Sequence, residues 1–283
     1  MKKLPRKYLV LCDLDGTLLN NENKISKHSE AIIKKFVKAG NIFCLATGRP
    51  KRGSIDFYNQ LGLKSLLINY NGSYISNPAN TLFTPLNLGF SNHILHVIMS
   101  NKKVLQWVDN ILVENSEGNF IWKEPQSEEE ATALFSHFHI EKTTNYRFIN
   151  KDLSNIKADI NSILIDMKSE KYINDLVTEI KSLTNTLIVR NWSVPNLGTI
   201  IEINSIFSSK GTALKYLSSY YGIPIENCIA FGDQDNDANM LTKANYSYAM
   251  KNGSTTAKLS AKYMTKKTNN DDGVVFELTK YIK

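Results

Sequence analysis

Apolar positions along this chain follow two rhythms. Towards both ends, short continuous apolar runs alternate with segments whose apolar residues recur every three or four positions. The first run, Leu9-Val10-Leu11-Cys12, shows no polar alternation, which is the pattern of a strand covered on both faces. From Ser26, a helix-capping residue type, Ile33, Phe36 and Val37 recur at helical spacing until Gly40 ends the run. Ile42 to Ala46 read as a second buried strand. Pro50 then stands at the first position of a helix expected to reach Gly62, where its missing N–H costs nothing. Leu66 to Ile68 make a third strand, followed by the turn signal Asn71-Gly72. Strands alternating with helices in this way predict a parallel sheet.

After Pro85 the rhythm changes. Asn87 to Leu112 read as helical. Strand-like pieces follow at Asn119–Trp122, Ser162–Met167 and Leu187–Val189, with helical pieces at Ser127–Phe138 and Lys171–Leu183. Trp107, Trp122 and Trp192 read as core residues of this stretch. Strands mixed with helices predict a small α+β domain inserted into the first. The expected division is residues 1–84 with 193–283 for the α/β core and 85–192 for the insert. The α/β rhythm resumes with Ile200–Ile203, a helix from Lys210 to Tyr221 and a strand at Cys228–Phe231. A helix from Asp237 to Ala244, a strand at Tyr246–Met250 and at least one terminal helix follow.

Composition narrows the classes. The 283 residues carry a net charge of +7, but the lysines are scattered through amphipathic segments and not interleaved with aromatics, so no nucleic-acid partner is expected. No apolar run is long enough to span a bilayer and the start lacks a signal-peptide pattern, so the reading is a cytoplasmic protein with no membrane partner. Cys12, Cys44 and Cys228 each lie in an apolar run without a second Cys or a His at metal-ligand spacing. They read as buried reduced thiols, and zinc is not expected.

The chemistry gathers where apolar runs stop. Asp13 and Asp15 follow the first strand, and Gly16 lets the chain double back. Two carboxylates facing one crevice repel unless a cation or a shared proton compensates, which leaves a divalent metal or an acid/base dyad. Thr47 follows the second strand, next to the free N–H groups of a helix start. Lys210 opens a helix, and Asp233 ends the Cys228–Phe231 strand with Asn236 and Asp237 just beyond. Ligands of open α/β sheets bind in the crevice at such strand ends. Phosphoryl transfer needs an in-line nucleophile, cations about the equatorial oxygens and a proton donor for the leaving group. Oxygen ligands with few carboxylates suit Mg²⁺. Asp13 is the candidate nucleophile and metal ligand, Asp15 the candidate acid/base, and Thr47 and Lys210 the candidate holders of phosphoryl oxygens.

DLDGT (Asp13–Thr17), TGR (Thr47–Arg49), SSKG (Ser208–Gly211) and GDQDND (Gly232–Asp237) resemble the four ordered motifs of the haloacid dehalogenase-like phosphatases. The long insertion resembles the C2-type cap of the Cof subfamily, as does the tail. The resemblance implies a Rossmann-like parallel sheet core with an inserted α+β cap. It implies Asp13 as nucleophile, and Asp15 as the acid/base that also gives the metal a backbone carbonyl. Leu14 would touch phosphate through its N–H. Thr47, Gly48, Lys210 and Asn236 would also contact phosphate. Asp233 would be the Mg²⁺ carboxylate, with Asp237 supporting it from behind. Arg49, Asn71, Gly72, Arg147 and Arg190 are the candidate substrate contacts. The expected activity is Mg²⁺-dependent hydrolysis of small phosphorylated metabolites through an aspartyl-phosphate on Asp13. Sugar phosphates stand first, with flavin and pyridoxal phosphates as further candidates. A phosphohexomutase on the same fold is the alternative, and a non-catalytic phospho-ligand binding module ranks last because Asp13, Asp15 and Lys210 are all present. A monomer or weak homodimer is expected.

Overall fold

The computed structural model describes all residues except 1–5, 139, 141–144, 195–197 and 283. The chain divides into two compact units, one made of the residues up to Leu86 together with those from Ser208 onward, the other of Asn87–Phe207.

The first unit begins with β1 (Leu9–Cys12), α1 (Lys27–Lys38) and β2 (Ile42–Leu45). The Ser26 side chain caps α1 by accepting from the Ser29 N–H. Val10 and Cys12 of β1 join one apolar cluster, while Leu9 and Leu11 join another. This two-sided burial is why the strand reads as an unbroken apolar run. Pro50 does not open a helix: a short turn at Lys51–Gly53 intervenes, and α2 (Ile55–Gln60) starts later. β3 (Leu67–Asn69) also departs from expectation. It pairs antiparallel with β4 (Tyr74–Ser76) in a small sheet completed by β5 (Leu86–Asn87), and meets β2 through a parallel bridge between Ala46 and Ile68.

The second unit contains α3 (Asn92–Ser100), α4 (Lys102–Trp107), β6 (Val108–Asn115), β7 (Gly118–Ile121), α5 (Glu128–His137), β8 (Tyr146–Phe148), β9 (Ile160–Met167), α6 (Ile173–Leu183), β10 (Leu187–Val194) and β11 (Gly198–Ser205). Its six strands run in the order β10-β11-β9-β6-β7-β8, antiparallel except for β7 with β8. One face of this sheet packs Ile111, Val113, Ile163, Ile165, Ile201 and Ile203 against α3, α4 and α6; the other packs Leu112, Leu164 and Ile200 against α5. Trp122 and Trp107 belong to the first of these clusters, and the Trp192 side chain lies outside the described residues.

Two readings are corrected here. The helix expected over Asn87–Leu112 ends at Trp107, and Val108 begins a strand paired on both sides. Ile200–Ile203 is not a core strand of the parallel sheet: it lies within β11, antiparallel to β9 and β10 in the second unit. An apolar run does not tell a buried strand from a buried helix segment, which carried the helix too far, nor an antiparallel strand covered on both faces from a parallel one, which misplaced Ile200–Ile203.

The first unit resumes with α7 (Lys210–Tyr221), β12 (Cys228–Gly232), α8 (Ala238–Lys243), β13 (Tyr246–Ala249), α9 (Thr255–Ser260), β14 (Tyr263–Met264) and α10 (Gly273–Leu278). Its main sheet has the order β14-β13-β12-β1-β2, parallel throughout. β1 therefore lies between β12 and β2, and the chain leaves all three at the same rim. Among the described residues no helix is long and apolar enough to cross a membrane.

Candidate active site

At that rim, Asp13 follows β1, Thr47 comes two residues after β2, and Asp233 follows β12. Lys210 is the first residue of α7, whose N-cap Ser209 accepts from the Thr212 N–H. Asp13 and Lys210 are 197 positions apart in the chain, yet they meet. The fully buried Lys210 ammonium donates to Asp13 Oδ1 at 2.5 Å and to Asp237 Oδ1 at 2.7 Å. Carboxylate oxygens of Asp13, Asp233 and Asp237, all buried, lie within 4.8 Å of one another.

Each carboxylate is oriented by its surroundings. Asp237 Oδ2 accepts from the backbone N–H of Asp233 at 2.8 Å and of Gln234 at 3.0 Å, so both its oxygens are committed. Asp233 Oδ1 accepts from the Thr17 hydroxyl at 2.7 Å, and its Oδ2 receives the Gln234 side-chain amide at 3.3 Å. Gly16, in the left-handed region at φ 68°, is packed so closely that a Cβ there would lie 2.3 Å from Asp233 Oδ2. The glycine of DLDGT is thus required by close approach as well as by its backbone angle.

Burial dominates the electrostatics. It pushes the Asp13 carboxyl well above the usual carboxylate range; Lys210 opposes the shift, while Asp237, Asp233 and Asp15 add to it. Burial likewise pushes Asp233 up to about 6, opposed by the Thr17 hydrogen bond and reinforced by Asp237. For Lys210, burial disfavours the charge, but the charges of Asp13 and Asp237 outweigh it and hold the ammonium above its ordinary value. Three buried carboxylates around one ammonium leave excess negative charge, which a cation would offset.

Asp15 stands apart from this cluster. Its half-exposed carboxylate pairs with Arg49, accepting from Nε at 2.8 Å on Oδ2 and from Nη2 on Oδ1. Burial works against the charge of Arg49, but the hydrogen bond and charge of Asp15 outweigh it and raise the guanidinium above its usual value. Thr47 is buried and its hydroxyl oxygen accepts from the Arg49 N–H at 3.0 Å. Asn71 is held by Asn236, whose Nδ2 donates to its Oδ1 at 2.8 Å, and a Cβ at Gly48 would lie 3.3 Å from the same oxygen. The buried Leu14 sits in the turn between Asp13 and Asp15. Arg147 and Arg190 belong to the second unit, Arg147 over the Phe120 ring and Arg190 donating to Asn204 Oδ1 at 3.1 Å.

The motif reading gave no role to Thr17, Asn252 or Asn269. Asn252 donates to the Gly16 carbonyl at 2.7 Å, and Asn269 donates to the Leu19 carbonyl at 3.0 Å. The signal for Asn252 was its place: an Asn-Gly turn three residues past β13, at the same rim as the other strand ends.

A family model described as haloacid dehalogenase-like hydrolase matches residues 10–278. The chain is 31% identical over 292 residues to the 5-amino-6-(5-phospho-D-ribitylamino)uracil phosphatase YitU of Bacillus subtilis, covering 97% of each protein. It is 26% identical over 268 residues to YcsE of the same organism, a phosphatase of the same name, covering 94% of this chain and 92% of that one. A haloacid dehalogenase-like hydrolase from Bacteroides thetaiotaomicron superposes with a TM-score of 0.79 at 24% identity, over 97% of this chain and 99% of the other. The chain belongs to the haloacid dehalogenase-like hydrolase family. Within it, the chain is a phosphoric monoester hydrolase.

Proposed function

We propose that this enzyme is a Mg²⁺-dependent phosphatase of small phosphorylated metabolites, working through an aspartyl-phosphate on Asp13. The observation that carries the reading is the buried Lys210 ammonium shared by Asp13 and Asp237, with Asp233 beside them. The donor set fits a hard cation: it is all oxygen, and with Lys210 on Asp13 Oδ1 and Thr17 on Asp233 Oδ1, Oδ2 of each carboxylate is the candidate ligand, that of Asp233 carrying the Gln234 amide at 3.3 Å as well. Asp13, Asp233 and the Asp15 backbone carbonyl would hold it, while Asp237 is committed to Lys210 and backbone N–H groups. Bound Mg²⁺ supplies positive charge beside the nucleophile and the phosphoryl oxygens.

The chain's own groups supply the rest. An Asp13 oxygen attacks phosphorus as the ester P–O bond breaks, and Asp15 gives its proton to the leaving oxygen. Water then attacks the aspartyl-phosphate, Asp15 takes the proton of that water, and inorganic phosphate departs with Asp13 restored. The two-point contact with Arg49 holds the ionised form of Asp15, so one oxygen leaves Arg49 when Asp15 carries a proton to the leaving group. Lys210, the Thr47 hydroxyl, Asn236 and the N–H groups of Leu14 and Gly48 are assigned to the phosphoryl oxygens.

The inserted unit is assigned substrate selection as a cap, with Arg147 and Arg190 as its candidate contacts and Arg49, Asn71 and Gly72 as those of the core. Two relatives are named for a ribityl phosphate, so that flavin precursor stands first among the substrates to try, ahead of sugar phosphates. The test is phosphate release from this ester, hexose phosphates, flavin mononucleotide and pyridoxal phosphate, with Mg²⁺ and with EDTA. Asp13→Asn is expected to lower kcat at least ~10³-fold with an unchanged melting temperature. Turnover close to that of the unaltered enzyme would remove Asp13 as nucleophile.

A further inference from the structure

The turn that carries Asp15 is held from outside its own segment. Leu14 to Leu18 form one irregular turn, closed by the Leu19 N–H on the Leu14 carbonyl at 2.8 Å, with Gly16 left-handed at its apex. The Gly16 carbonyl accepts from Asn252 Nδ2 at 2.7 Å. Asn252 Oδ1 in turn accepts from the Asn269 N–H at 3.0 Å, and Asn269 Nδ2 returns to the same turn, donating to the Leu19 carbonyl at 3.0 Å and to Asn21 Oδ1 at 3.1 Å. The Asn252 segment is itself tied to the Asp233 loop. The Ser254 N–H donates to the Asp233 carbonyl at 2.7 Å, and a Cβ on Gly253 would lie 2.9 Å from that carbonyl oxygen. Asn252 touches none of the reacting groups. Its bond holds the Gly16–Thr17 peptide, one peptide on from Asp15, and Thr17 donates to Asp233.

We infer that Asn252, held by Asn269, is a positioning residue: it fixes the Gly16 carbonyl, and through it the direction from which Asp15 meets the leaving-group oxygen. The inference rests on the phosphatase reading and gives it a residue which the four motifs do not contain. Loosening the turn misplaces a proton donor, and esters depend on that donor unequally. An alkyl phosphate expels a strongly basic alkoxide and needs the proton, whereas p-nitrophenyl phosphate expels a stable phenolate and needs it little. A purely structural role would depress both reactions together.

The experiment measures kcat/KM, which covers the steps up to leaving-group departure, for a polyol phosphate and for p-nitrophenyl phosphate. Asn252→Ala is expected to lose about 10-fold or more on the alkyl ester and less than about 3-fold on the aryl ester, with an unchanged melting temperature. Asn252→Asp keeps an acceptor for the Asn269 N–H but removes the donor to Gly16, and is expected to show the same split. Equal losses on the two esters, or no loss in either variant, overturn the inference while leaving the phosphatase reading intact. An unaltered enzyme that releases phosphate from neither ester overturns the phosphatase reading and the inference with it.

Discussion

Lys210 is the residue on which the buried cluster balances. Its ammonium is fully buried and is neutralised by two carboxylates at hydrogen-bond distance. Breaking a buried ion pair by deleting one partner leaves an uncompensated charge and costs about 3–5 kcal/mol. Lys210→Met should therefore lower unfolding free energy by roughly that amount in EDTA, read from urea denaturation. Asp13→Asn should change it little, because Lys210 keeps Asp237. Equal stability of the two variants would show that Lys210 does not neutralise the cluster. The positions of Asp13, Thr47, Lys210 and Asp233 were legible in the sequence because each lies where an apolar run stops or a helix starts. The pairing of Asp15 with Arg49 and the grip of Asn252 on Gly16 were not. The latter is a side-chain bond to a backbone carbonyl 236 positions away, and no local pattern encodes it.

At the scale of elements, the strands of the parallel sheet were legible because burial on both faces writes a continuous apolar run. The same rule misassigned Ile200–Ile203, since it carries no information on strand direction, and helical spacing was carried too far into Val108–Leu112. The turn after β3 is where local backbone and site meet most closely. Tyr70, Asn71 and Gly72 are left-handed in succession, at φ 49°, 56° and 101°. A Cβ on Gly72 would lie 2.3 Å from the Ser209 carbonyl oxygen and 3.2 Å from the Lys210 nitrogen, at the start of α7. Gly72→Ala should thus cost about 2–3 kcal/mol and push the N-terminus of α7, raising KM for phosphate esters several-fold. Gly222, left-handed at φ 61° past the other end of α7, has nothing within 4 Å of its Cβ position. Gly222→Ala should cost only about 1 kcal/mol and leave KM unchanged. If the two alanines behave alike, backbone angle alone governs both sites and the close approach at Gly72 has no kinetic consequence.

Across the whole molecule, each unit has its own apolar clusters: Val10, Phe43 and Phe231 lie in the core of the first, Ile111, Ile163 and Ile203 in that of the second. The clustered carboxylates of Asp13, Asp233 and Asp237 all belong to the first unit. A ligand stabilises what it binds by mass action, about 2.7 kcal/mol at a hundredfold excess over Kd, so the effect of a cation falls on the unit that holds the carboxylates. Hydrogen exchange of the EDTA-treated protein, with and without Mg²⁺, reads this directly. Amides of β1, β12 and β13 should exchange up to about 100-fold more slowly with the ion, and those of β6 and β9 at an unchanged rate. In Asp233→Asn the slowing of the first unit's amides should vanish, because one of the two carboxylates assigned to the ion is gone. Protection gained equally by β9 and β1 would mean that the two cores unfold together, and no gain in either would mean that the buried carboxylates are not a cation site.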